Sequence, residues 1–176
     1  MQWTVHGRRT IYDSPWMSLD LVDVEQPDGN RYEQHVLRMA RPVAATVMTD
    51  GEGRALLMWR HRHVTDTWGW EIPSGRIEAG ESPGQAAARE AEEETGWRPG
   101  LLRLLVASQP SNGSISTVHY IFHGQAARHI GDPVDRSEAE RVEWVPLSEV
   151  GGLIAKGEIV SGPTLIGLLM TAASLA

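Results

Sequence analysis

GRIEAGESPGQAAAREAEEETGW, Gly75 to Trp97, is the stretch of this 176-residue chain that decides its fold. Ser82 offers a side-chain oxygen to the free amides of a helix start. Pro83 suits the first helical position, and Gln85 completes a capping box with Ser82. Alanine and glutamate carry the helix to Thr95, and Gly96 supplies the stop. Within that helix Glu90, Glu93 and Glu94 fall at spacings of three and four, so their carboxylates share one face. Each like-charged pair at such spacing costs a helix roughly 0.2–0.5 kcal/mol. An acidic helix face is commonly no more than a solvated surface. A hard divalent cation is nevertheless a natural partner for oxygens gathered in this way, because Mg2+ and Mn2+ prefer carboxylates. Ala87 and Ala91 form a slim apolar stripe beside them, which lets the helix lie close on a sheet.

Outward from the helix, the first third of the chain reads as strands. Trp3–Tyr12 and Met17–Gln26 flank the turn Asp13-Ser14-Pro15. Pro27-Asp28-Gly29-Asn30 then leads into a returning strand, Arg31–Met39, so a hairpin is expected. Val43–Met48 and Ala55–Trp59, the latter continuing to Arg62, surround the turn Asp50-Gly51-Glu52-Gly53. After the helix, strands are expected at Leu101–Ala107, Val118–His123 and Val142–Val145, with a polar loop from His129 to Ser137. Helical stretches at Leu147–Lys156 and Pro163–Ser174 finish the chain. Strands without regular strand–helix alternation imply an α+β protein, a mixed central sheet flanked by helices. His61 and His63 alternate along their strand and are read as surface or substrate contacts. Trp3, Trp16, Trp68 and Trp70 suit core or interface packing, or stacking on a base or ribose.

Composition narrows the function classes. A length of 176 residues, 41% of them apolar, suits one domain with a sizeable core. The formal net charge of −7 argues against general nucleic-acid binding. No apolar run reaches bilayer length and no signal-peptide pattern opens the chain, so no membrane partner is expected. The absence of cysteine removes disulfides, thiolate metal sites and a cysteine nucleophile, and fits a cytoplasmic protein.

The helix with its flanks resembles the Nudix family. That family's signature is Gly, five residues, Glu, seven residues, Arg-Glu, an apolar residue, any residue, Glu-Glu, any residue, Gly, and an apolar residue. Gly75, Glu81, Arg89, Glu90, Ala91, Glu93, Glu94, Gly96 and Trp97 stand at that spacing. The resemblance implies a Nudix-type α/β/α sandwich over residues 41–176, with residues 1–40 as an N-terminal antiparallel strand extension. It implies Glu90 and Glu94 as principal metal ligands, Glu93 as a further ligand or base, and the Ser74 carbonyl in the metal shell. Arg89 is expected to brace Glu81. The chemistry implied is Mg2+-dependent hydrolysis of a phosphoanhydride, with Mn2+ as an alternative ion.

Within the family, Glu71-Ile72-Pro73-Ser74-Gly75 and the N-terminal extension resemble the ADP-ribose pyrophosphatase branch. The extension there helps to build a homodimer and to contact adenine. Ser108–Gly113 resembles that branch's Ser-Pro-Gly turn, with Pro110 nearer the helix than is usual. The resemblance makes Arg62 a phosphate-gripping residue. It places the base on a loop that here carries Asp132, Asp135, Glu138 and Glu140, of which Glu138 is the first choice and Glu93 its competitor. The expected substrate is a small nucleotide, ADP-ribose or a related nucleotide sugar, cleaved to AMP and a sugar phosphate. The alternatives are a nucleoside triphosphate or dinucleoside polyphosphate hydrolase, and a non-catalytic ligand sensor.

Overall fold

The computed structural model describes residues 1–134 and 138–175. Its strands in chain order begin with β1 (Thr4–Asp13), β2 (Met17–Glu25), β3 (Arg31–Met39), β4 (Val43–Thr49), β5 (Arg54–Arg62), β6 (Thr67–Glu71) and β7 (Ser74–Arg76). Helix α1 (Pro83–Thr95) follows. Then come β8 (Trp97–Pro99), β9 (Arg103–Ser108), β10 (Ile115–Ser116), β11 (His119–His129) and β12 (Arg141–Pro146). A 3-10 turn leads into α2 (Val150–Ala155), and α3 (Gly162–Leu175) closes the chain.

The chain forms two compact units, residues 1–42 with 109–118, and residues 43–108 with 119–176. In the first, β1, β2 and β3 form an antiparallel meander, and β10 adds in parallel to β3. Every residue of β1 is exposed. Arg38 and Thr10 both donate to the buried Asp20 carboxylate of β2, at 2.7 and 2.8 Å. Those two bonds hold Asp20 below the usual carboxylate range.

The second unit is the α+β sandwich expected from the sequence. Its sheet runs β12-β5-β4-β11-β8, with β6, β7 and β9 paired to β5, β4 and β11. The β4–β11 pair is parallel and the others antiparallel, so the sheet is mixed. Alternation along the strands sorts the core into two layers. Ala44 and Met48 of β4 and Leu56 of β5 face α1, where Ala86, Ala87 and Ala91 are buried against the sheet. Ala45, Val47 and Leu57 face the other way, toward Leu168 of α3 and Val150 of α2. Burying each large aliphatic side chain in these layers contributes roughly 1.5–3 kcal/mol. The small alanines let α1 approach closely enough for the Thr46 hydroxyl of β4 to donate to the Ala87 carbonyl at 2.9 Å.

Several elements were not visible in the sequence. β6, β7, β8 and β10 are short and exist through their pairing partners. β11 continues to His129 because its far end pairs with β8. Strand β5 ends at Arg62, so His63 falls in the turn beyond it and shares no strand face with His61. No helix among the described residues is long and apolar enough to cross a membrane.

Candidate active site

Helix α1 is fixed at both ends by the residues that announce it. The Ser82 hydroxyl accepts from the Gln85 amide at 3.3 Å, and the Gln85 side chain accepts from the Ser82 amide at 2.8 Å. Gly96 ends the helix at φ 72, in the left-handed region that favours glycine. A Cβ there would also stand 2.0 Å from the Gly131 carbonyl oxygen. The loop after β11 is bound to this helix end through main-chain bonds. Ile130 N–H donates to the Gly96 carbonyl and Val134 N–H to the Glu93 carbonyl, each at 2.9 Å.

The repulsion expected among the helix glutamates is offset by Arg89. Its Nε and Nη2 grip Glu81 at 2.7 and 3.1 Å, while Nη1 donates to Glu90 at 2.8 Å and Glu93 at 2.9 Å. It also donates to the Arg76 carbonyl at 3.1 Å. The Arg89 bonds, with the Glu78 amide, pull the Glu81 carboxyl down to about 2. Arg89 therefore braces the loop before the helix as well as neutralising the helix face. Gly75 makes room for this cluster, because a Cβ there would lie 2.1 Å from the Glu90 carboxyl carbon. Burial is the chief reason that Glu90 stands above the ordinary carboxylate range.

Glu94 lies deeper, 5% exposed. Ser74 N–H donates to its Oε2 at 2.7 Å, and Arg60 Nη1 donates to its Oε1 at 2.9 Å. Burial, reinforced by a hydrogen bond to the neighbouring Glu138 carboxyl, pushes Glu94 up to about 8. The other arm of Arg60, Nη2, donates to Glu138 at 2.6 Å. Arg60 is absent from the sequence reading, although the alternation Leu56, Met58, Arg60 puts it on the strand face that meets α1. A lone arginine continuing a buried apolar face is the signal that could have found it. Its neighbour Arg62 donates through Nε to Glu71 at 3.0 Å and is thereby held to the lead-in strand.

Of the other loop carboxylates, Asp135 lies outside the described residues. Glu140 donates its amide to the Trp59 carbonyl, which fixes the loop's end on β5. A cleft of about 420 Å³ opens beside Glu94, walled by Trp97, His129, Asp132, Arg141 and Val142. Trp68 stacks on Trp59, and Trp59 meets Trp70 with Arg141 over both rings of that second pair. These indoles lie on the opposite sheet face from Arg60, since odd positions of β5 face α3. His61 Nε2 lies 3.1 Å from Asp66 Oδ1.

The donor set on α1 is composed of hard carboxylate oxygens, which suits a divalent ion such as Mg2+ or Mn2+. The bare backbone at Gly75 leaves the space that the Glu90 carboxylate occupies. In this arrangement the oxygens face guanidiniums, and among the described residues no three acidic or histidine groups converge on one point. A cation would compete with Arg60 and Arg89 for them.

The NUDIX domain model matches residues 39–165. A CMP-5'-(N-acetyl-N-hydroxy-3-aminopropyl)phosphonate hydrolase of Streptomyces rubellomurinus is 41% identical, over 96% of this chain and 82% of that protein. The ADP-ribose pyrophosphatase of Mycobacterium tuberculosis is 28% identical, over 91% of this chain and 78% of its own length. That of Bacillus subtilis is 29% identical, over 82% and 76% respectively. Among solved structures, an ADP compounds hydrolase superposes with a TM-score of 0.86 at 20% identity, covering 99% of this chain and 95% of that one.

Proposed function

The chain belongs to the NUDIX family, and from that membership we propose that it hydrolyses the bridge between a nucleoside 5'-phosphate and a second phosphorus-bearing group. ADP-ribose is the first substrate of this class, giving AMP and ribose 5-phosphate. The observation that carries the reading is a pair of arginine-held carboxylate groups on helix α1: Arg89 holds Glu90 and Glu93, and Arg60 joins Glu94 to the loop carboxylate Glu138. A cytidylyl phosphonate is the second reading, favoured by the 41% identity to a hydrolase of such a compound. Both substrates contain the same P–O–P bridge, so one set of residues serves either.

Glu90 and Glu94 would hold a divalent ion, Mg2+ before Mn2+, with Glu93 and the Ser74 carbonyl as further ligands. Such an ion, when bound, neutralises the bridging phosphates and lowers the pKa of water. Glu138 accepts a proton from the attacking water as its oxygen bonds to one phosphorus. The bond from that phosphorus to the bridging oxygen breaks, and the electrons leave with the second phosphate. Arg89 keeps Glu81 and the loop before α1 in register, and Gly75 leaves the space that Glu90 needs. Arg62, beyond the buried part of β5, serves as a phosphate contact that gives up Glu71 on binding.

The test is a panel of nucleotides hydrolysed with Mg2+ and with Mn2+, the products resolved by chromatography. ADP-ribose, the cytidylyl phosphonate, other nucleotide sugars, dinucleoside polyphosphates and triphosphates belong on it. Preferred cleavage of one of the first two is the expected result. A preference for triphosphates would remove the substrate class and keep the metal chemistry. No turnover by folded, metal-supplied protein would favour a ligand sensor.

The protein also acts as a homodimer in this reading, with residues 1–40 as the extension that serves the dimer. The support is β1, exposed at every position while carrying Val5, Ile11 and Tyr12. Sedimentation at micromolar concentration should give twice the chain mass of 19.4 kDa. A single-chain mass would remove the dimer.

A further inference from the structure

We propose that Arg60 is a positioning residue for this hydrolysis: its guanidinium ties the loop carboxylate of Glu138 to the helix carboxylate of Glu94, so that the two meet the substrate as one unit. The inference rests on the reading of Glu138 as the base.

Arg60 is 7% exposed, on a strand face whose preceding members, Leu56 and Met58, are wholly buried. A leucine or methionine would continue that face without dehydrating a charge, and buried ion pairs are poor sources of stability. Its hydrogen bonds also leave Nε without a partner among the described residues. The guanidinium is therefore not arranged for its own satisfaction. Its two terminal nitrogens instead reach two different elements, α1 at Glu94 and the loop at Glu138, 34 and 78 residues away in sequence. The loop's main chain is secured at Ile130 and Val134 on one side and at Glu140 on the other. Glu138 stands between those anchors, half-exposed, and Arg60 grips its carboxylate at 2.6 Å from the buried strand face. Arg62, two residues further along the same strand face, is held by Glu71 and makes no such bridge. A general base must stand within hydrogen-bond reach of the proton it removes, so a side chain that sets its position affects rate without touching substrate.

The experiment compares R60Q, E138Q and the double variant of the full chain. It uses turnover on the best substrate of the panel, and amide hydrogen exchange of the metal-free protein. R60Q is expected to lower kcat on the order of 10- to 100-fold with KM little changed, as for a displaced catalytic group. In the E138Q background the same change should alter kcat by no more than about twofold, the scatter of ordinary additivity. Exchange in the 129–143 peptide should quicken in R60Q while α1 stays protected. Equal losses of kcat in both backgrounds, or unchanged exchange of that peptide, would overturn the proposal. If α1 also loses protection in R60Q, R60K takes its place. Lysine keeps the charge but lacks the fork that spans two carboxylates, so the same loop exchange and the same loss of kcat are expected. Full kcat in E138Q alone would sink the base reading, and the exchange measurement would still decide whether Arg60 tethers the loop.

Discussion

Glu94→Gln lowers turnover by on the order of 10³-fold in the folded protein, the scale of losing a group that stabilises charge at a reacting centre. The substitution is close to isosteric, and its effect on folding is small for a specific reason. Burial, with the Glu138 carboxyl alongside, pushes Glu94 up to about 8. Burial thus favours the neutral form of its carboxyl in the metal-free protein, and a glutamine amide imitates that form. An amide still accepts from Ser74 N–H or Arg60 but offers a cation no charge. Turnover equal to the parent chain would remove Glu94 from the metal site. The same group sets a pH dependence. Its folded pKa lies above the ordinary 4.5, so the folded state binds the proton more tightly than the unfolded one. The stability it contributes is complete below about pH 4.5 and is lost as pH rises through about 8. Melting temperatures of metal-free protein should therefore fall across that window, and those of Glu94→Gln should fall less. Parallel curves would contradict the burial argument.

Glu138→Gln lowers kcat by roughly 10²–10⁴-fold, the usual contribution of a general base. Glutamine can still accept from Arg60, so the loop keeps its tie while losing the site for a proton. The carboxylate is 38% exposed, so solvent screens its pairing with Arg60 and thermal stability changes little. Single-turnover rates separate this loss from any slowing of product release. A rate equal to the parent would transfer the base role to Glu93, whose carboxylate is half-exposed on α1.

What the sequence discloses and what it withholds divide along the range of the interactions. Helix α1 is legible to the residue because its determinants are local: Ser82 and Gln85 at one end, Gly96 at the other, alanines between. The hairpin of β2 and β3 is legible for the same reason, with Pro27 to Asn30 joining two alternating strands. β7 and β8 are three residues each and gain their form only from β4 and β11, which lie far away in the chain. No local pattern could announce them. The glutamates of α1 were visible as a group because one helix carries them. Arg60 was not, because its meaning depends on Glu94 and Glu138, which reach it only after the sheet has formed. The family resemblance singles out Arg62, whereas the buried arginine two places earlier makes the bridge.

The loop after β11 is held to α1 by the amides of Ile130 and Val134 and by the approach of the Gly131 carbonyl to Gly96. Peptide groups are common to all residues, so these two bonds do not depend on side-chain identity, while Gly131, at φ 145, keeps to the region that favours glycine. Mutation can therefore try new side chains at Pro133, on the wall of the cleft beside Glu94, without removing either main-chain bond. Glycine at position 96 is what this attachment requires of the helix, and Gly131 is its counterpart on the loop. An attachment of this kind lets substrate preference drift among descendants of one enzyme while the hydrolytic apparatus stays where it is.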